Sequence, residues 1–150
     1  MNSNQIRKIL WSDIEAKNVF RGVFAVDQLP RELQVGAYII NTDEHYKPGQ
    51  HWVAVYYDGT IKEYFDSYGL PPLDRRILEF LGPKFVYNNI PLQKTLSNAC
   101  GYYCVYYILR RSRAADMEKI VRLLERTKDS DYYVKSFIYK RYKCIILRQF

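Results

Sequence analysis

The 150-residue chain predicts an α+β fold, with a small, mostly antiparallel sheet flanked by helices. Three observations predict it. Apolar residues recur at helical spacing near both ends of the chain. Between them lie short runs rich in β-branched and aromatic residues. Two of those runs are joined by Asp58-Gly59, a strong local hairpin signal.

In chain order, Ile6, Ile9, Leu10 and Ile14 predict a helix over residues 3–16. Residues 19–27 read as irregular or extended, ended by Pro30. Residues 35–41 are apolar and read as a buried strand, and residues 51–57 and 60–66 form the predicted hairpin. Gly69, Pro71 and Pro72 then break the chain. A short helix is expected over 74–81, with Ile77, Leu78 and Leu81 on one face, and a strand over 85–91. Residues 98–111 carry Cys100, Cys104, Val105, Ile108 and Leu109 at helical spacing. An amphipathic helix over 116–128 turns Met117, Ile120, Val121 and Leu124 inward, and a weaker helix follows over 130–140. No repeat or flexible linker divides the chain, so one domain over residues 1–150 is expected.

Composition narrows the function classes. Hydrophobic residues at 48% and charged residues at 26% are those of a soluble globular protein. No apolar run is long enough to span a bilayer, and residues 6–11 are too short and too charged for a signal core, so an intracellular protein without membrane attachment is expected. Three cysteines are too few and too scattered for a disulfide framework. His45, His51 and the three cysteines show no paired zinc spacing, which argues against a metal site. A net charge of +7 points to an acidic partner such as DNA, or to nothing more than a basic surface.

A two-residue loop at 58–59 pairs Tyr57 with Thr60, and that register puts His51 directly across from Asp66. Glu63 falls on the other face. A carboxylate behind a histidine fixes its tautomer and favours the imidazolium. Charge pairs of this kind also simply stabilise sheet ends, so the hairpin alone leaves both readings open. Cys100 follows Ser97 and Asn98, either of which can cap the helix. In the first turn its thiolate would be stabilised by free N–H groups and the helix dipole. Gly101 would leave room for a substrate backbone. The alternative for Cys100 is a small buried hydrophobe, which is the preferred reading for Cys104; Cys144 stays unassigned.

The ordered set His51-Trp52, Asp66 in Tyr64-Phe65-Asp66-Ser67-Tyr68-Gly69, Gln93 and Cys100-Gly101 resembles the adenovirus-type (adenain-like) cysteine proteases. The closest likeness is to those of Polinton/Maverick elements and related viruses. The proteases of ubiquitin-like proteins belong to the same clan and are more distantly similar. Phe20-Arg21-Gly22-Val23-Phe24 and Ile39-Ile40-Asn41-Thr42 add to the likeness, which runs from about Phe20 to Leu109. The resemblance implies a papain-like-superfamily fold and a thiol endopeptidase that processes viral or element-encoded structural precursors, acting as a monomer in the virion or host nucleus. It implies His51, Asp66 and Cys100 as catalytic residues, and Gln93 with the Cys100 backbone as the oxyanion site. Trp52 and Gly101 would lie beside them. No cofactor is required for the chemistry; DNA or a disulfide-linked peptide are the activators it suggests, with Cys104 or Cys144 as candidate attachment points and the basic stretch 140–144 as a candidate built-in equivalent of the peptide. Asp in place of Glu, a shorter chain and an unaligned C-terminal third depart from the adenovirus pattern. The competing readings are a peptidase for ubiquitin or a ubiquitin-like modifier, a related acetyltransferase and, outside enzymes, a Tyr-rich nucleic-acid-binding module.

Overall fold

The computed structural model describes residues 1–147 and shows an α+β architecture around one five-stranded mixed sheet. The strands are β1 (Phe20–Ala25), β2 (Gly36–Asn41), β3 (Trp52–Tyr57), β4 (Lys62–Phe65) and β5 (Val86–Tyr87), side by side in chain order. The helices are α1 (Ser3–Ser12), α2 (Arg75–Leu81), α3 (Cys100–Arg111), α4 (Met117–Arg126) and α5 (Ser130–Leu147). The two central pairings, β2–β3 and β3–β4, are antiparallel. The outer pairings, β1–β2 and β4–β5, are parallel.

The two faces of the sheet carry separate cores. Phe20, Ile39, Ala54 and Phe65 pack against α1, α3, α4 and α5, with α3 at the centre of that layer. Tyr38, Ile40, Val53, Val55 and Tyr64 pack against Ile77 and Leu81 of α2. Helix α3 buries eight of its twelve residues, including Tyr103, Tyr106 and Tyr107. Tyr56, Tyr64, Tyr103, Tyr106 and Tyr107 are therefore core residues and not surface platforms for stacking bases. Glu63 lies on the α3 face, where it pairs with Arg111 at 2.9 Å and accepts from the Tyr107 hydroxyl. A carboxylate buried there needs those partners to offset its lost hydration.

Several boundaries differ from expectation for identifiable reasons. Helix α1 starts with a capping box between Asn2 and Gln5 but stops at Ser12. Asp13 adopts extended backbone angles and its carboxylate accepts from the Glu15 and Ala16 N–H groups, leaving Ile14 exposed rather than inward. The stretch read as irregular or extended is extended over most of its length, as strand β1, and ends in a 3₁₀ turn (Val26–Gln28). Only Val86–Tyr87 of the expected 85–91 strand is paired, and Leu78 of α2 is exposed. Helix α5 runs past residue 140 to Leu147 through a kink at Tyr142, so the basic stretch 140–144 is helical.

The hairpin register also needs correction. Tyr57 pairs with Lys62, not with Thr60. Asp58 accepts from the Thr60 and Ile61 N–H groups at 2.8 and 2.7 Å and so stretches the connection to four residues, with Gly59 at φ +97°. The shift amounts to two residues, which returns every side chain to the same face.

Candidate active site

The site forms where β3 begins, β4 ends and α3 starts. Continuing the observed register sets Tyr68, not Asp66, across from His51, and the two rings stack with centroids 5.1 Å apart. Asp66, two residues earlier on the same face, becomes the diagonal neighbour. It still reaches His51: Nε2 lies 2.7 Å from Asp66 Oδ1. The pair expected from direct opposition is thus made diagonally, because an even shift in register preserves the face.

Asp66 is held from several directions. Its Oδ1 also accepts from the Tyr68 N–H at 2.9 Å. Asn88, just beyond β5, accepts from the Asp66 N–H at 2.9 Å and donates to the Asp66 carbonyl at 2.7 Å. Asn88 is 5% exposed, and no sequence pattern marked it, because its contact with Asp66 depends on the β4–β5 pairing. Gly69 closes the same turn at φ +72°, where a Cβ would stand 2.5 Å from the Ile90 carbonyl carbon.

Cys100 is the first residue of α3 and is half-buried. The cap is Ala99, which makes no side-chain hydrogen bond, so neither Ser97 nor Asn98 caps the helix as expected. Ser97 Oγ instead accepts from the Ala99 N–H, and Asn98 accepts from Lys135. With no capping side chain, the Gly101 N–H of the first turn is left to the Cys100 sulfur, a setting that favours an anion. Burial alone would raise the Cys100 pKa, but hydrogen bonds from His51 and the backbone N–H groups of Trp52 and Gly101, together with the His51 charge, bring it below the ordinary thiol value. Because Nε2 serves Asp66, Nδ1 is the ring nitrogen left for the thiol. Burial opposes the His51 charge in the same way, yet Asp66 and Cys100 raise its pKa to about 9. The arrangement therefore favours a thiolate beside an imidazolium. Cys104, one turn on, is fully buried and its thiol pKa is pushed up by desolvation. Cys144 is exposed on α5.

Tyr68 stacks on the imidazole, and Trp52 lies beside the start of α3. The Trp52 indole packs at Gly101 and donates to the Met1 carbonyl at 3.1 Å. A Cβ at Gly101 would come within 3.2 Å of Trp52 and of Met1, so the glycine lets these groups close over the start of α3. Gln93 is 6% exposed and gripped on both amide atoms. Its Oε1 accepts from Ser67 Oγ at 2.5 Å, and its Nε2 donates to the Ser97 carbonyl at 2.8 Å. Its own N–H and that of Leu92 both donate to the Ser67 carbonyl. Ser67 was not anticipated either; its role depends on the loop before α3 folding back over the end of β4.

Cys100, His51 and Tyr68 line an open cleft of about 620 Å³ that runs toward Phe24 on β1 and the loop after β2. Among the described residues, no group of three His, Cys, Asp or Glu side chains is placed to hold a metal ion. No helix among them is long and apolar enough to cross a membrane.

No family model matches the chain, and no curated protein matches it. Among solved structures, it is similar to a selenomethionine form of the ASFV pS273R protease, with 24% identity, a TM-score of 0.48 and coverage of 65% of this chain and 42% of that one. A second structure of the same protease gives 25% identity, a TM-score of 0.47 and coverage of 67% and 40%. The SUMO protease Ulp1, with its catalytic cysteine oxidised to a sulfinic acid, gives 16% identity, a TM-score of 0.37 and coverage of 67% and 52%. The chain thus spans about 40% of the length of the ASFV protease chains.

Proposed function

We propose that the chain is a cysteine peptidase with Cys100 as nucleophile, His51 as general base and acid, and Asp66 as the residue that orients His51. One observation carries this reading: His51 bridges a buried carboxylate and a thiol of lowered pKa at an uncapped helix start, inside an open cleft. The thiolate attacks a peptide carbonyl and forms an acyl-enzyme. On this reading the Cys100 N–H and the Gln93 side-chain amide, whose Nε2 also meets the Ser97 carbonyl at 2.8 Å and Ser97 Oγ at 3.4 Å, stabilise the oxyanion. His51 passes its proton to the leaving amine, and water then releases the acyl group.

The substrates on this reading are structural precursor proteins of a virus or mobile element, with DNA as a candidate activator acting through the basic surface. The test is to incubate the protein with such precursors and with Gly-Gly-terminated ubiquitin-like fusions, with and without DNA, and to identify new termini by mass spectrometry. New termini are expected with wild type and none with Cys100→Ala, while Gln93→Ala lowers kcat about 10²- to 10³-fold. Equal cleavage by Cys100→Ala overturns the assignment. Cleavage confined to the ubiquitin-like fusions would redirect it to modifier processing.

A further inference from the structure

Strand β1 is an edge of the sheet, paired only with β2. Two hydrogen bonds show which of its backbone groups face outward. The Val26 N–H, just past the strand, turns inward to the Asp43 carbonyl, whereas the Val23 carbonyl turns outward to Arg7 at 3.4 Å. Residues of one parity on a strand point their N–H and C=O groups the same way. Val23 and Ala25 therefore present backbone donors and acceptors away from β2. Among the described residues, Arg7 is the one group that engages them.

This free edge is not on an outer surface. Val23, Phe24 and Ala25 line the same cleft as Cys100, His51 and Tyr68. Edge strands left open in a folded protein are templates for another strand, and proteins blunt those without a use. Here Arg7 from α1 overhangs one carbonyl, and the first turn of α1 also lines the cleft. The edge is continuous with the cleft that holds Cys100, which favours a single extended chain as its occupant. Main-chain pairing supplies affinity largely independent of sequence, with alternate side chains read by pockets.

We propose that an extended polypeptide docks as an added strand on the outer edge of β1 at Val23 and Ala25, and that this edge holds peptide substrates in the Cys100 cleft. The proposal rests on the peptidase reading only for its second half, so docking and cleavage are measured separately. Ala25 has φ −74° and ψ 156°, which a proline adopts without strain, and its N–H takes no part in the β1–β2 ladder. Ala25→Pro therefore removes one outward donor and leaves the sheet intact, which thermal unfolding verifies.

Docking is read by amide exchange in Cys100→Ser protein mixed with a proteome-derived peptide library. Slowed exchange at Val23 and Ala25 supports the edge site, and unchanged exchange there overturns it. Cleavage is read with a peptide that wild type cuts. Ala25→Pro is expected to lower kcat/KM about three- to tenfold, the equivalent of one backbone hydrogen bond, with iodoacetamide reactivity of Cys100 unchanged. Should Ala25→Pro fail to fold, single N-methylation along the peptide replaces it, and losses at alternate residues are expected. Normal kcat/KM in Ala25→Pro, or cleavage indifferent to N-methylation, sinks the edge site and leaves the peptidase standing. Protection at Val23 and Ala25 without any cleavage does the reverse. Concentration-dependent dimerisation abolished by Ala25→Pro would give the edge to a second copy and overturn the proposal.

Discussion

The chain has two histidines, each hydrogen-bonded to an aspartate and each lining the same cleft. The pairs match in chemistry and differ in setting. His51 and Asp66 have side chains 17% and 6% exposed; His45 and Asp27 have side chains 54% and 22% exposed. Asp27 also accepts from the His45 backbone N–H, so that pair pins the loop after β2 to the turn after β1. Its carboxyl pKa is lowered against a desolvation effect by these His45 contacts, and no thiol is involved. At His51 the withdrawal of water strengthens each interaction, and Cys100 stands on the far side of the ring. A hydrogen-bonded His–Asp pair is thus a common structural clasp, and burial against a thiol is what gives one of the two a chemical use on the proposed reading.

Replacing each histidine breaks the comparison most directly. His51→Ala is expected to lower peptide cleavage by about 10²- to 10⁴-fold, the usual contribution of a general base. His45→Ala should leave the rate within about twofold, as for an exposed site. Comparable losses from the two would show that the buried pair has no special part.

Asp66→Asn sharpens it through pH. In wild type, His51 holds its proton up to a pKa of about 9, above the ordinary imidazole value of 6.5. Its contribution to stability is therefore complete below the unfolded value and disappears as pH rises through about 9. Cleavage should fall over the same rise, because the imidazole can no longer protonate the leaving amine. Removing the Asp66 charge moves both changes to lower pH, which ring-proton NMR of His51 and a pH–rate profile can follow. Asp27→Asn should move neither.

A smaller effect is expected at Asn88. Asn88→Ala leaves the buried Asp66 N–H without its acceptor, a cost of about 1–3 kcal/mol in stability. The melting temperature should fall, and kcat should fall with it while KM changes little, because Asp66 is displaced but still charged. An unchanged kcat would make Asn88 a purely structural support.

Much of this was legible in the residues, but unevenly. The apolar spacing of Ile120, Val121 and Leu124 marks α4, and the strand-like runs mark the centre of the sheet, because local patterning reports burial. The meeting of His51 with Asp66 was legible despite a wrong register, since face depends only on odd or even spacing. The turn itself was not: the reach of the Asp58 carboxylate to two N–H groups lengthened it. Tyr68, Ser67 and Asn88 were illegible because each depends on a nonlocal arrangement, the β4–β5 pairing or the loop folded over β4. Gln93 and Cys100 were singled out by family likeness, and periodicity alone would have left Cys100 beside Cys104 as a core residue.

The lowered pKa of Cys100 depends largely on the β3 side of the molecule, on His51 and the Trp52 N–H, with the Gly101 N–H of α3 itself adding to them. His51 and Trp52 lie in a hairpin of short sequence separation, which can assemble early, whereas α3 joins it across a long loop. On the proposed reading, a chain in which α3 has not yet docked on β3 carries an ordinary cysteine, and the nucleophile forms when the two meet. On the proposed peptidase reading, this order of events keeps newly made chains from cutting one another while their own backbones are exposed. A pulse of iodoacetamide during refolding should label Cys100 at acid pH only after the α3 layer has closed.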